Sequence, residues 1–131
     1  MKKRNIIICC VLLAFVLIAG MVINSAIKTT NVKPFNLYHE PYYLRAMQDF
    51  PSDKYLGEVL TAKDAQEKAL KEWLDLFGDK IYKEKPYQVF FDEQNGVWLV
   101  KGSLPRGYIG GVAYIIMRKS DGKILAIWHD Q

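Results

Sequence analysis

YQVFFDEQNGVWLVKGS, Tyr87 to Ser103, is the stretch on which the fold class turns. Tyr87 to Asp92 alternates as a strand does, Asn95-Gly96 is a hairpin signal, and Val97 to Ser103 runs back. Downstream, Leu104 to Gly111 (LPRGYIGG) reads as a loop. Val112 to Lys119 is a third strand, Ser120-Asp121-Gly122 a turn, and Lys123 to His129 a fourth strand. Upstream the period changes to that of a helix. Thr61 is an N-cap residue with Asp64 three positions on, Ala65, Ala69 and Trp73 recur on one face, and Gly78 closes the run, which predicts a helix over 62–77. A helix followed by an antiparallel meander is α+β: one helix packed on a sheet of about four strands.

Both faces of that sheet are apolar. Val112, Tyr114 and Ile116 oppose Ala113, Ile115 and Met117; Val97 and Leu99 oppose Trp98 and Val100; Ile124, Ala126 and Trp128 oppose Leu125 and Ile127. One helix covers one face. The other needs the 42–50 segment, a sheet curved over itself, or a partner, and cover from within the chain is expected. Tyr42 to Phe50 has the pattern of a short amphipathic helix, with Pro41 in its first turn, Pro51 ending it, and Tyr43, Met47 and Phe50 on one face. Residues 28–41, with two prolines and no period, read as a tether, so 28–55 is expected to be a tether holding a short helix. Most of Trp73, Trp98 and Trp128 are expected in the core.

The N-terminus points to a membrane. Ile6 to Ile23 is an unbroken apolar run of 18 residues behind Lys2, Lys3 and Arg4. It exceeds a secretory signal core and lacks a good small-residue exit, which favours an uncleaved signal anchor over 1–27 rather than a removed signal peptide. The flanking charge places the amino terminus in the cytoplasm. The chain is then a single-pass protein of the bacterial cytoplasmic membrane, contacting lipid through 6–23, with residues 28–131 extracytoplasmic. Cys9 and Cys10 are the only cysteines, and both read as small apolar residues of the span, with acylation the alternative. The exported part therefore has no thiolate and no disulfide. Of the 18 basic residues, three precede the span, and the other 15 face 14 acidic ones, which excludes a nucleic-acid footprint.

No catalytic constellation emerges, so the chain is read as not an enzyme, with no cofactor and no metal. His129 with Asp130 and Asp121 could hold a metal, but a strand-end histidine is the simpler reading. Gly107, Gly110 and Gly111 read as a bend rather than a phosphate cradle, because no Lys-Ser or Lys-Thr follows and a strand, not a helix, comes next. Ser103 has no evident base, and Asp92 and Glu93 beside the turn read as solvated. Arg106 and Tyr108, an arginine fork and an aromatic on a glycine-flanked loop, are the candidate partner-binding residues.

From about Leu60 to His129 the chain resembles the bacterial immunity proteins of the nuclear-transport-factor-2-like fold. The resemblance rests on TAKDAQEKA from Thr61, GDKIYKEKPY from Gly78, NGVWLVKGSLP from Asn95, GGVAYI from Gly110 and SDGKIL from Ser120. It implies a cone-shaped α+β domain over 56–131 with a curved sheet, and a non-catalytic protein that binds and neutralises a cognate toxin. It carries over no catalytic residue. The alternative is a PepSY-like envelope module that restrains a peptidase or senses a ligand. A third possibility, a ligand binder using Tyr114, His129 or Asp92 in the cone, lacks an acid–base pair.

Overall fold

The computed structural model describes residues 31–131. The expected span at 6–23, Cys9, Cys10 and the orientation read from the flanking charges lie outside the described residues. No helix among the described residues is long and apolar enough to cross a membrane. The order of elements is β1 (Val32–Pro34), a 3-10 turn (Leu37–His39), α1 (Pro41–Asp49), α2 (Ala62–Phe77), a second 3-10 turn (Asp79–Glu84), then β2 (Gln88–Asp92), β3 (Val97–Lys101), β4 (Ala113–Arg118) and β5 (Ile124–His129).

Local chemistry explains α2. Thr61 accepts the backbone N–H of Asp64 at 3.1 Å, and Gly78 closes the helix at φ 77°, a backbone region other residues avoid. Its buried stripe of Ala65, Ala69 and Trp73 lies on the sheet face formed by Val89, Trp98, Val100, Ile115 and Met117. The small alanines let the helix approach closely. Two indoles then fill the layer, Trp73 donating to the Tyr114 carbonyl at 3.3 Å and Trp98 to the Val59 carbonyl at 2.9 Å.

The sheet order is β1-β2-β3-β4-β5, antiparallel except for β1, which pairs parallel with β2. The count of about four strands thus becomes five. The tether reading of 28–55 is corrected over its described part: Val32–Pro34 is an edge strand, Leu37 is 2 % exposed, and the 31–131 segment is one compact unit. The cause is long-range, since the Leu37 N–H donates to the Asp92 carboxylate at 2.8 Å across 55 residues. The second sheet face, with Val97, Leu99, Ile116, Ala126 and Trp128, is covered from within the chain by Leu37 and by Ala46, Tyr43, Leu44 and Met47 of α1. The chain then lines the outer edge of β5, where Ile127 donates to the Phe50 carbonyl at 3.2 Å and Ile124 to the Lys54 carbonyl at 2.9 Å. That edge is thereby blunted against pairing with other chains.

One register expectation needs correction. Ile116 pairs with Ala126 but Met117 pairs with Ile124, so Leu125 is the extra residue of a bulge. Ile124 therefore packs under α2, while Ala126 and Trp128 belong to the opposite face. All three tryptophans lie in the core, none more than 5 % exposed.

Candidate interaction loop

Residues 102–112 join β3 to β4 and carry the most exposed apolar side chains of the domain. Tyr108 is 71 % exposed, Ile109 is 102 % exposed, and Leu104 and Arg106 also face solvent. The tip is built by a turn in which the Tyr108 N–H donates to the Pro105 carbonyl at 3.1 Å, with Gly107 at φ 88° in the third position, as a type II turn requires. Arg106 and Tyr108 flank that glycine, so the turn brings the two candidate residues to one tip.

The feet of the loop are fixed. Gly102 donates to the Ala113 carbonyl at 2.9 Å, and Ser103 donates through its N–H to the Glu84 carbonyl at 2.7 Å and through its hydroxyl to the Pro86 carbonyl at 2.6 Å. Ser103 is thus a structural tie. The buried Glu84 carboxylate accepts the Ala113 N–H at 2.7 Å through Oε1 and meets His129 Nε2 at 2.9 Å through Oε2. A Cβ at Gly102 would run into the Glu84 side chain, and one at Gly111 into the Asp130 backbone. Two of the loop's glycines are therefore there for close approach.

His129 Nδ1 lies 2.6 Å from the Asp130 carbonyl, which only accepts, so Nδ1 carries a hydrogen. Nε2 faces the Glu84 carboxylate, so the imidazole bridges Asp130 and Glu84. The Phe77 ring packs edge-on against the imidazole at 5.5 Å. Asp130 is held in turn, its N–H donating to the Val112 carbonyl at 3.0 Å and its side chain accepting the Tyr42 hydroxyl at 2.6 Å. Burial, then the bond to the Asp130 carboxylate, pushes the Tyr42 phenol up to about 12.

The other candidate polar residues are dispersed. Asp121, in the β4–β5 turn at the far end of the sheet from His129, pairs with Arg118, whose guanidinium holds its carboxyl at about 2. The set His129, Asp130 and Asp121 is therefore not brought together, and no group of three or more metal-ligating side chains occurs among the described residues. Tyr114 stacks on Trp128 at 4.8 Å on the second face. Asp92 is 1 % exposed, which corrects the solvated reading; it accepts from Leu37 N–H and from both nitrogens of Asn95 at 3.0 and 2.7 Å. An open apolar cleft of about 680 Å³ beside α2 contains Leu70, Pro86 and Tyr87, but its one carboxylate, Glu67, pairs with Lys63 at 3.9 Å.

Sequence reasoning missed Glu84, which sits among lysines in KEK and reads as surface. The usable signal was the pair Gly102 and Gly111, glycines at the strand ends with no turn to make.

No curated protein and no solved structure matches the chain. The family model described as "NTF2 fold immunity protein" matches residues 53–131. That match spans more than half of the chain and contains α2, the four antiparallel strands and the loop with its fixed feet, so the chain belongs to the NTF2 fold immunity protein family.

Proposed function

We propose that this chain neutralises a cognate toxin by binding it, without catalysis, and that it does so at the bacterial cytoplasmic membrane. Residues 6–23 anchor it, and the domain is extracytoplasmic. Arg106 and Tyr108 are the contact residues. The observation that carries this reading is a loop whose tip is apolar, aromatic and cationic, fully in solvent, and whose feet are locked. Such a tip presents an anchor with little ordering cost on binding, and occlusion of the toxin by it requires no acid–base chemistry.

The test is capture from membranes with the tagged full-length chain, partners identified by mass. A single stoichiometric partner is expected. Its capture falls at least about tenfold in Tyr108→Ala or Arg106→Ala, the loss typical of an interface anchor. Equal capture by the variants would move the contact off this loop. A monomer with no partner under any condition would sink the toxin reading.

A further inference from the structure

The interaction loop and the point where the chain joins the sheet lie at the same end of the domain. β1 starts at Val32, paired with Val89, so residue 31 joins beside Gln88. Gln88 pairs with Lys101, the last residue of β3, and Ala113 opens β4 after the loop. Between β1 and the middle of the loop lie two and a half strand spacings, about 12 Å across the sheet. Only residues 24–31 separate the apolar run ending at Ile23 from Val32. Fully extended they reach at most about 29 Å, no more than the width of a domain of this size, whose radius of gyration is about 13 Å.

The composition of this end fits an anionic lipid surface. Arg106 lies on the loop and Lys83, Lys85 and Lys101 at its base, the Lys101 ammonium over the Phe90 ring at 5.4 Å, against the exposed Asp79 and Glu40 and the half-buried Asp130, the Glu84 carboxylate being taken up by His129. Beyond these cations project Leu104, Tyr108 and Ile109. An isoleucine with its whole side chain in water contributes nothing to the fold. A tyrosine and two aliphatic residues beside an arginine, with lysines at the base of the loop, are the composition of a segment that sits in the headgroup layer. The opposite end, with Glu93 in the β2–β3 turn and Asp121 in the β4–β5 turn, exposes Tyr38, Tyr55 and Leu60, but none of them as fully as Tyr108 and Ile109 on the loop.

We propose that this end docks on the bilayer, with Ile109, Leu104 and Tyr108 in the headgroup layer and Arg106 and the lysines at lipid phosphates. The inference rests on the membrane-anchored reading above and goes beyond it by assigning the loop a resting contact. A toxin that engages Arg106 and Tyr108 replaces lipid there.

The test uses the full chain with Cys9→Ser and Cys10→Ser, in vesicles of phosphatidylethanolamine and phosphatidylglycerol. A spin label is placed at Ile109→Cys or, at the far end, Glu93→Cys. Accessibility to oxygen and to a water-soluble nickel chelate gives the depth of each. The label at 109 is expected to be open to oxygen and shielded from nickel, and that at 93 open to nickel. Arg106→Gln lowers the docked-to-free ratio about fivefold, the weight of one cation beside an anionic surface. A label at 109 as open to nickel as that at 93 overturns docking, as does a chain that fails to stay with the vesicles. Capture of the partner is measured on the same membranes. Capture with the 109 label in water sinks docking alone, whereas a shielded label with no partner captured leaves docking intact and sinks the toxin reading.

Discussion

Glu84→Ala is expected to cost about 3–5 kcal/mol, the range for removing one member of a buried, hydrogen-bonded pair. Three losses act together. The Ala113 N–H loses its acceptor at 2.7 Å, His129 Nε2 loses its partner at 2.9 Å, and the space beside Gly102 filled by the carboxylate becomes a void. The Ser103 tie to the Glu84 carbonyl survives, because it uses the backbone. The loop should therefore loosen at its β4 foot rather than at its β3 foot. Glu84→Gln separates charge from shape: its amide oxygen accepts from Ala113, and its NH2 donates to an unprotonated Nε2, so both contacts persist without the carboxylate charge. Denaturant unfolding followed by tryptophan fluorescence should show a large loss for alanine and a small one, about 1 kcal/mol, for glutamine. Amide exchange should accelerate at Ala113 in the alanine variant before it does at Ser103. Equal losses in the two variants would mean that the charge, not the hydrogen-bond geometry, does the holding.

The sequence legibly marked those elements whose ends are set by neighbouring residues. Helix α2 was read over 62–77 because Thr61 and Gly78 act locally, one through its hydroxyl and one through its backbone freedom. The four antiparallel strands follow from period-two runs between glycine-bearing turns, and α1 from its flanking prolines. Strand β1 was not legible. Val32-Lys33-Pro34 is too short for a period, and its place depends on β2 and on Asp92, more than fifty residues away. The facing of Ile124 failed for a related reason, since a bulge is decided by the partner strand and the layers packed on it. For the candidate site, the tip was legible in PRGY because turn chemistry is local, while the platform was not. Glu84, His129 and Asp130 come from a 3-10 turn and the end of β5, and nothing in either segment alone announces the other.

Asp92 carries the other large effect, because it joins the N-terminal segment to the rest of the domain. Its carboxylate accepts from Leu37 N–H at 2.8 Å, Asn95 N–H at 3.0 Å and Asn95 Nδ2 at 2.7 Å. Burial pushes the carboxyl up, but the bonds from Asn95, Leu37 and Gln94 together outweigh it and hold it below the usual carboxylate range. A carboxyl depressed in the folded state stabilises fully above its unfolded value of about 3.9, and that contribution is lost as pH falls through the folded value. Asp92→Ala is expected to cost about 3 kcal/mol at neutral pH, since a bond to a charged group is worth about 1.5–3 kcal/mol and the Leu37 N–H is left buried without a partner. Asp92→Asn keeps the shape but not the charge, so it should be destabilised at neutral pH yet lose less further stability than wild type as the solution is acidified below about pH 4. The loss should also be local at first. With Leu37 released, the segment leading from β1 to α1 loses its buried bond to the β2–β3 turn and β1 is held by its short ladder to β2, whereas α2 keeps its own core of Ala65, Ala69 and Trp73. Hydrogen exchange should therefore rise over residues 31–50 well before it rises over 62–77. Uniform acceleration across both would mean that the N-terminal cover and the family domain unfold as one unit, and that Asp92 contributes to the whole rather than to the joint. That local order ties stability to function, because residues 31–50 lie between the apolar run at 6–23 and the domain the family match covers. If the run anchors the chain, force transmitted from the membrane enters the domain through the β1–β2 pairing, which the Leu37–Asp92 bond and the packing of α1 on Trp128 back up.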